Sequence, residues 1–282
     1  MADYAIDNKP KSIYYPTPLK VSTMTAVTKI NGDINLKNLY DLLELNSNIE
    51  YIELGKENKG FALKNKKKKR KKIESKTFYN QLTLIINSPT YKKKINMKIF
   101  NNGNIQFTGL RDRFCAEELM DYIINNINEK FSSLNEEEIE EIIQYKKLDE
   151  NEIKKDIFYE GLRIVLINSD FSLGFPINRD NLYKIIIDNN IWCSYEPCIY
   201  PGINIKFYYN INNKKNDGIC HCKEKCLGKG KGLGDGDCKR ITICMFQSGK
   251  ALITGGQNNN QIMMAFLWMK QLIFNNMAEV RI

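Results

Sequence analysis

Five residues in the last quarter of the chain have the types and spacing of a metal site: Cys220, His221, Cys222, Cys226 and Cys238. Soft thiolates with one imidazole suit tetrahedral zinc. The spacing Cys-x-Cys-x₃-Cys-x₁₁-Cys matches no familiar zinc finger. Two other readings therefore stay open beside zinc: a reduced loop without metal, and a redox role. The remaining cysteines, Cys115, Cys193, Cys198 and Cys244, are scattered and read as buried thiols. With no secretory signal in residues 1–20, thiols or metal ligands are expected rather than disulfides. His221 is the single histidine. No Cys/His nucleophile set, phosphate loop or paired-carboxylate constellation accompanies it, so the chain does not read as an enzyme.

A second set of candidate residues sits on a repeated stretch. Ile95-Asn-Met-Lys-Ile-Phe-Asn-Asn-Gly-Asn-Ile-Gln-Phe-Thr-Gly109 returns as Ile241-Thr-Ile-Cys-Met-Phe-Gln-Ser-Gly-Lys-Ala-Leu-Ile-Thr-Gly255. Without a gap, Ile95/Ile241, Phe100/Phe246, Gly103/Gly249, Thr108/Thr254 and Gly109/Gly255 are identical. Each copy reads as strand, glycine-containing turn, strand. Alternation puts Phe246, Ser248, Lys250, Leu252 and Thr254 on one face. Met245, Gln247, Gly249, Ala251 and Ile253 take the other, and Ile105 and Phe107 hold the inward positions of Ala251 and Ile253. One face can pack on helices; the other carries an aromatic, hydroxyls and a cation. The plainer reading is a duplicated scaffold with Phe100 and Phe246 in the core.

Three motifs decide between these readings. Phe-x-Ser-Gly-Lys-x-x-x-Thr-Gly at 246–255 resembles the TATA-box-binding protein (TBP) family. Ser194-Tyr-Glu-Pro-Cys-Ile-Tyr-Pro-Gly202 is similar to the family's Ser-Tyr-Glu-Pro-x-x-Phe-Pro-Gly, and Phe175-Pro-Ile177 to the Phe-Pro-Ile before a helix of its second repeat. The resemblance covers 21–130 and 161–277 and is stronger in the second half. It implies an α+β fold: a two-repeat saddle whose curved antiparallel sheet of ten strands has helices on the convex face and leaves the concave face for DNA.

The resemblance also implies roles. Family members carry aromatic wedges that enter the minor groove and unstack base steps, a known property of the family rather than a reading of these residues. Phe100 and Phe246 match the hairpin wedges; Tyr200 and its counterpart Tyr79 match the other pair, with Phe78 as an alternative to Tyr79. Thr108 and Thr254 match threonines that bond base edges. Lys250 and Arg111 match basic contact positions, and Ser248 and Leu252 share the reading face. Thr23 and Leu166 stand where the family has asparagine, with Asn168 two positions on, and Gln106 replaces a family valine. These departures put strict TATA specificity in question.

The elements that must position these residues follow in order. Residues 1–20 form an irregular arm. The first repeat, 21–131, reads as a strand at 21–28, a helix at 36–45, strands at 49–54 and 79–86, the hairpin, and a helix at 111–131 with Phe114, Leu119, Tyr122, Ile123 and Ile127 as its apolar stripe. An insertion at 55–76 carries Asn65-Lys-Lys-Lys-Lys-Arg-Lys-Lys72, a solvated like-charge run suited to phosphates or to nuclear import. A charged linker, 132–160, joins the copies and offers an alternative reading as an acidic partner-binding helix. The second repeat, 161–282, has strands at 162–168, 192–195 and 200–209, the cysteine-rich insertion 210–240, and strands again from 241. Its helices fall at 178–188 and 258–276, the latter with Ile262, Met263, Ala265, Phe266, Met269 and Ile273 facing the core.

Composition fits a nucleic-acid partner. The chain has 282 residues, 43% of them hydrophobic, and a net charge of +9 from 42 basic and 33 acidic side chains. It has no apolar run of membrane-spanning length. The expected function is a transcription initiation factor that binds A/T-rich double-stranded DNA, bends it, and meets general transcription factors or RNA polymerase machinery. The expected location is intracellular, in a nucleus or a cytoplasmic viral factory; the Asn-, Lys- and Ile-rich composition suits an A/T-rich genome such as that of a large DNA virus. The alternative is an interaction module that keeps the fold and has weak or altered DNA specificity.

Overall fold

Alternation of buried and half-exposed positions marks most sheet strands of the computed structural model, which describes residues 16–60, 80–145 and 156–282. Contacts divide the chain into an N-terminal unit, Ser22–Ile167, and a C-terminal unit, Met1–Val21 with Asn168–Ile282. The division falls inside the strand Tyr159–Ser172.

In the N-terminal unit β1 (Lys20–Ile30) and β2 (Gly32–Ile34) lead to α1 (Leu36–Leu42). Then come β3 (Ile49–Leu54), β4 (Glu57–Gly60), β5 (Gln81–Ser88), β6 (Lys93–Phe100), β7 (Asn104–Leu110) and α2 (Arg113–Phe131). α3 (Glu136–Ile142), β8 (Ile143–Tyr145) and β9 (Tyr159–Ser172) follow. The strand order is β1-β7-β6-β5-β3-β4, with the start of β9 beside β1, and a separate ladder pairs β2 with β8. Leu82, Leu84, Ile86, Ile95, Met97, Ile99, Ile105 and Phe107 point one way and are buried. Against them α2 lays Leu119, Met120, Ile123 and Ile127. Burying such side chains contributes about 1.5–3 kcal/mol each.

The C-terminal unit repeats the pattern. After the end of β9 come α4 (Arg179–Asp188), β10 (Cys193–Ser194), β11 (Ile203–Tyr209), β12 (Lys239–Met245), β13 (Lys250–Gly256), α5 (Asn259–Asn275) and α6 (Met277–Val280), in sheet order β10-β11-β12-β13-β9. α5 covers the inner face, where Phe207 meets Trp268 at 5.3 Å and Phe171 meets Phe266 edge-on at 4.9 Å.

The repetition extends to single hydrogen bonds. The Ile30 amide donates to the Gly103 carbonyl and Ile34 to Asn101; Leu173 donates to Gly249 and Ile177 to Gln247 in the same way. Each first strand is thereby latched to the hairpin turn of its own unit.

Five details depart from expectation. The sheets hold eleven strands, not ten, because β4 adds an edge strand to β3 inside the segment assigned to a loop. Its Lys59 reaches the end of α1. The ammonium donates to the Tyr40 and Leu43 carbonyls, both at 2.7 Å, satisfying orphan acceptors at the end of α1. On α2 the buried stripe runs through Cys115, Ala116 and Met120, while Phe114 is 57% exposed. On α5 Met263 is 43% exposed and Trp268 takes the buried place. Part of the charged linker is structured: Asn135 and Glu138 form a capping box on α3, and Ile142 and Ile143 are buried. Of the scattered thiols, Cys115 and Cys244 are buried, Cys193 is half-buried and Cys198 is exposed.

Candidate nucleic-acid interface

Each sheet has a second face, formed by the alternate positions of the same strands. In the C-terminal unit Thr254 pairs with Thr242, and Leu252 with Cys244, so these four share that face with Phe246. Phe246, at the end of β12, is half-buried, and Leu252 is 44% exposed. Tyr200 stands against Phe246 with ring centroids 5.8 Å apart at 63°. It is 40% exposed.

The motif around Tyr200 is built to present that ring. The amides of Ile199 and Tyr200 both donate to the Glu196 carbonyl, closing a tight turn. Arg179, in the first turn of α4, donates to the Pro201 carbonyl and sits 5.4 Å over the Tyr195 ring. Gly202 lets the rings sit close: a Cβ there would come within 2.9 Å of Tyr200 Cε1 and 3.0 Å of Phe246 Cε1, and the rings would have to shift. The Tyr200 hydroxyl finds its polar partner in the Cys244 thiol. Burial raises the pKa of both groups, so both remain protonated at neutral pH. Cys244 thus meets Tyr200 on the outer face of the sheet.

Beside the aromatic pair lies a hollow of about 900 Å³ lined by Lys20, Asp170, Phe246, Ser248, Lys250 and Leu252. Ser248 and Lys250 are exposed on and after the hairpin turn. Farther along the face the Thr254 hydroxyl donates to Asn168 Oδ1. Asn168, two residues on from Leu166, keeps the same strand parity and so lies on the same face. The Lys206 ammonium also joins this face, donating to Thr242 Oγ1 at 2.9 Å. Burial, reinforced by Arg240, lowers its pKa.

The N-terminal unit has the corresponding parts. Phe100 ends β6, half-buried, at the rim of a hollow of about 710 Å³ that also touches Val27, Lys29, Gln106 and Arg163. Thr108 lies opposite Thr25 on one side and Asn96 on the other. By the repeated latch, Thr25 is the counterpart of Asn168. Arg111 is exposed just beyond β7. Tyr79, its alternative Phe78 and the basic run 65–72 lie outside the described residues.

The cysteine insertion is a separate structure between β11 and β12. The sulfurs of Cys220, Cys222, Cys226 and Cys238 all lie within 4.8 Å of one another. His221 is not among them: its Nε2 is 2.8 Å from Asp217 Oδ2. Burial raises the Cys220 and Cys238 thiols. Burial would also raise Cys226, but backbone hydrogen bonds from Gly228 and Cys238 bring it below the usual thiol value.

An antiparallel array of five or six strands with one long helix and shorter ones, present twice, defines the class: this is the TBP fold. A solved Methanococcus jannaschii TBP matches with a TM-score of 0.51 at 17% identity, over 91% of this chain and 98% of that one. In sequence, a TATA-box-binding protein-like protein of Acanthamoeba polyphaga mimivirus is 29% identical over 227 residues, 76% of this chain. The chain spans about half, 53%, of that relative's length. No protein-family model matches. The chain is TBP-like in fold and sequence, and divergent. Among the described residues no helix is long and apolar enough to cross a membrane.

Proposed function

We propose that the chain is a transcription initiation factor that binds A/T-rich duplex DNA through the open face of each unit. It would wedge aromatic side chains into the minor groove, bend the DNA and offer its helices to other initiation factors or polymerase subunits. This is a binding role without chemistry of its own. The observation that carries it is the Tyr200–Phe246 pair, held half-exposed on a sheet face by Gly202 and Arg179. Large apolar rings kept out of the core have their use against another surface.

The polar groups support an A/T preference. In the minor groove an A·T pair shows only acceptors, whereas G·C adds an amino donor. Asn168 Oδ1 accepts from Thr254, and the same side-chain amide carries two N–H donors. A donor surface suits an acceptor-only edge. A shift assay comparing A/T-rich with G/C-rich duplexes tests the reading. Tighter binding to the A/T-rich duplex is expected. Failure to bind either duplex above background would leave the interaction-module alternative.

The basic run 65–72 is proposed to add attraction to phosphates without reading bases. Each phosphate contact contributes about −0.9 to the slope of log K against log salt. Replacing Lys66, Lys67, Lys68 and Lys69 with glutamine is expected to flatten that slope and leave the A/T preference unchanged. Titrations at several salt concentrations measure both; an unaltered slope would place the run away from DNA.

A further inference from the structure

We infer that Cys220, Cys222, Cys226 and Cys238 form a structural zinc site of four thiolates, with His221 excluded from the ligand set. This inference is independent of the DNA-binding reading.

Geometry is the first argument. Zn–S bonds of about 2.3 Å at tetrahedral angles separate neighbouring sulfurs by about 3.8 Å. Cys238 Sγ lies 3.3 Å from Cys222 Sγ and 3.7 Å from Cys220 Sγ, and every pair of the four is within 4.8 Å. Side chains from three separate turns of the loop therefore converge on a space of the right size. All four cysteines are free thiols.

The surroundings are the second argument. Thiolates bound to metal carry charge that neighbouring donors stabilise. Here the amides of Gly228 and Cys238 point at Cys226, the amide of Cys222 points at Cys220, and Asn210 Nδ2 lies 3.5 Å from Cys238 Sγ. Asp217 holds the imidazole of His221 by its Nε2, so the ring is engaged outside the cluster.

The third argument is what the loop lacks. Between β11 and β12 there is no helix or regular strand, and Ile211, Leu227 and Leu233 are exposed. A segment with so little core of its own needs a cross-link to hold one shape, and a metal supplies it. Four sulfurs in tetrahedral array select zinc or iron. Every ligand position is filled by protein, which is the closed arrangement of a structural rather than a catalytic zinc. Because Cys238 directly precedes β12, the metal would pin the loop to the base of the hairpin that ends in Phe246.

The test uses the full chain, purified under reducing conditions without chelator. Elemental analysis is expected to find about one zinc per chain. Replacing zinc with cobalt(II) is expected to give the visible bands of a tetrahedral site and a sulfur-to-metal charge-transfer band. Cys222→Ser combined with Cys226→Ser should abolish both, whereas His221→Ala and the control Cys198→Ser should retain them. Should the double variant fold poorly, trypsin digestion of the parent answers separately. The loop lysines Lys223, Lys225, Lys229 and Lys231 should be protected with zinc and cut after a chelator removes it. Iron in place of zinc, a monodisperse metal-free chain that takes up neither zinc nor cobalt, or metal lost on His221→Ala would each overturn the site.

Discussion

Phe246→Ala is expected to weaken binding to A/T-rich duplex by about 1–3 kcal/mol, the range for loss of one base–aromatic stacking contact. That is roughly a 5- to 150-fold rise in Kd. On the wedge proposal, bending should fall with it, because the proposed role of the ring is to open the base step. Stability should change far less. A fully buried phenylalanine costs about 3–5 kcal/mol on truncation, but Phe246 is half-buried and packs on a partner, Tyr200, that is itself 40% exposed. Phe100→Ala should behave similarly at the other unit. Thermal unfolding and a fluorescence bending assay on the same variants separate the readings. If Phe246→Ala lowers Tm sharply yet binds and bends DNA like the parent once folded, Phe246 is a core residue and the wedge proposal fails.

The sequence made the repeated hairpin legible because strand alternation and turn glycines are local properties. Leu82, Leu84 and Ile86 are buried and Phe100 and Phe246 are not, as period-2 reading requires. Departures arose where a distant group decided the outcome. β4 pairs with β3, and its Lys59 reaches carbonyls at the end of α1, a contact that strand alternation does not register. Phe114 and Met263 fit an apolar stripe by type, but the stripe's phase is set by the sheet beneath, and both fall outside it. Leu166 and Asn168 share strand parity, so alternation fixes the face for both, while only the latch between Leu173 and Gly249 fixes the position along the strand. The cysteines were legible as a cluster by spacing. The exclusion of His221 was not, since it depends on where Asp217 lies in the folded loop.

That latch carries the largest expected effect on stability. Gly249 has φ 75° and donates its amide to the Phe246 carbonyl, which closes the hairpin turn. Its carbonyl accepts from Leu173. A Cβ there would lie 1.9 Å from the Phe175 carbonyl oxygen, far inside van der Waals contact with backbone that cannot rotate away. Gly103 repeats the arrangement, with φ 78° and a Cβ position 2.3 Å from the Gly32 carbonyl oxygen. Gly249→Ala therefore meets two costs. The left-handed backbone costs about 1–2 kcal/mol for a residue with a side chain. Relieving the clash means moving the 173–175 segment, which gives up the Leu173 hydrogen bond at about 0.5–1.5 kcal/mol and disturbs its packing. A total of about 1.5–3.5 kcal/mol is expected before the disturbed packing is counted, equivalent to a fall in Tm of roughly 3–14 °C. Gly255→Ala is the control. Its φ of 102° carries the backbone cost, but the nearest atom to its Cβ is the Arg240 carbonyl oxygen at 3.2 Å, so its Tm should fall by clearly less. Thermal unfolding of the parent, both single variants and Gly103→Ala provides the comparison. Equal, small shifts for Gly249→Ala and Gly255→Ala would mean that the turn does not sit under the 173–175 carbonyls. In that case the recurrence of Gly103 as Gly249 would reflect turn conformation alone.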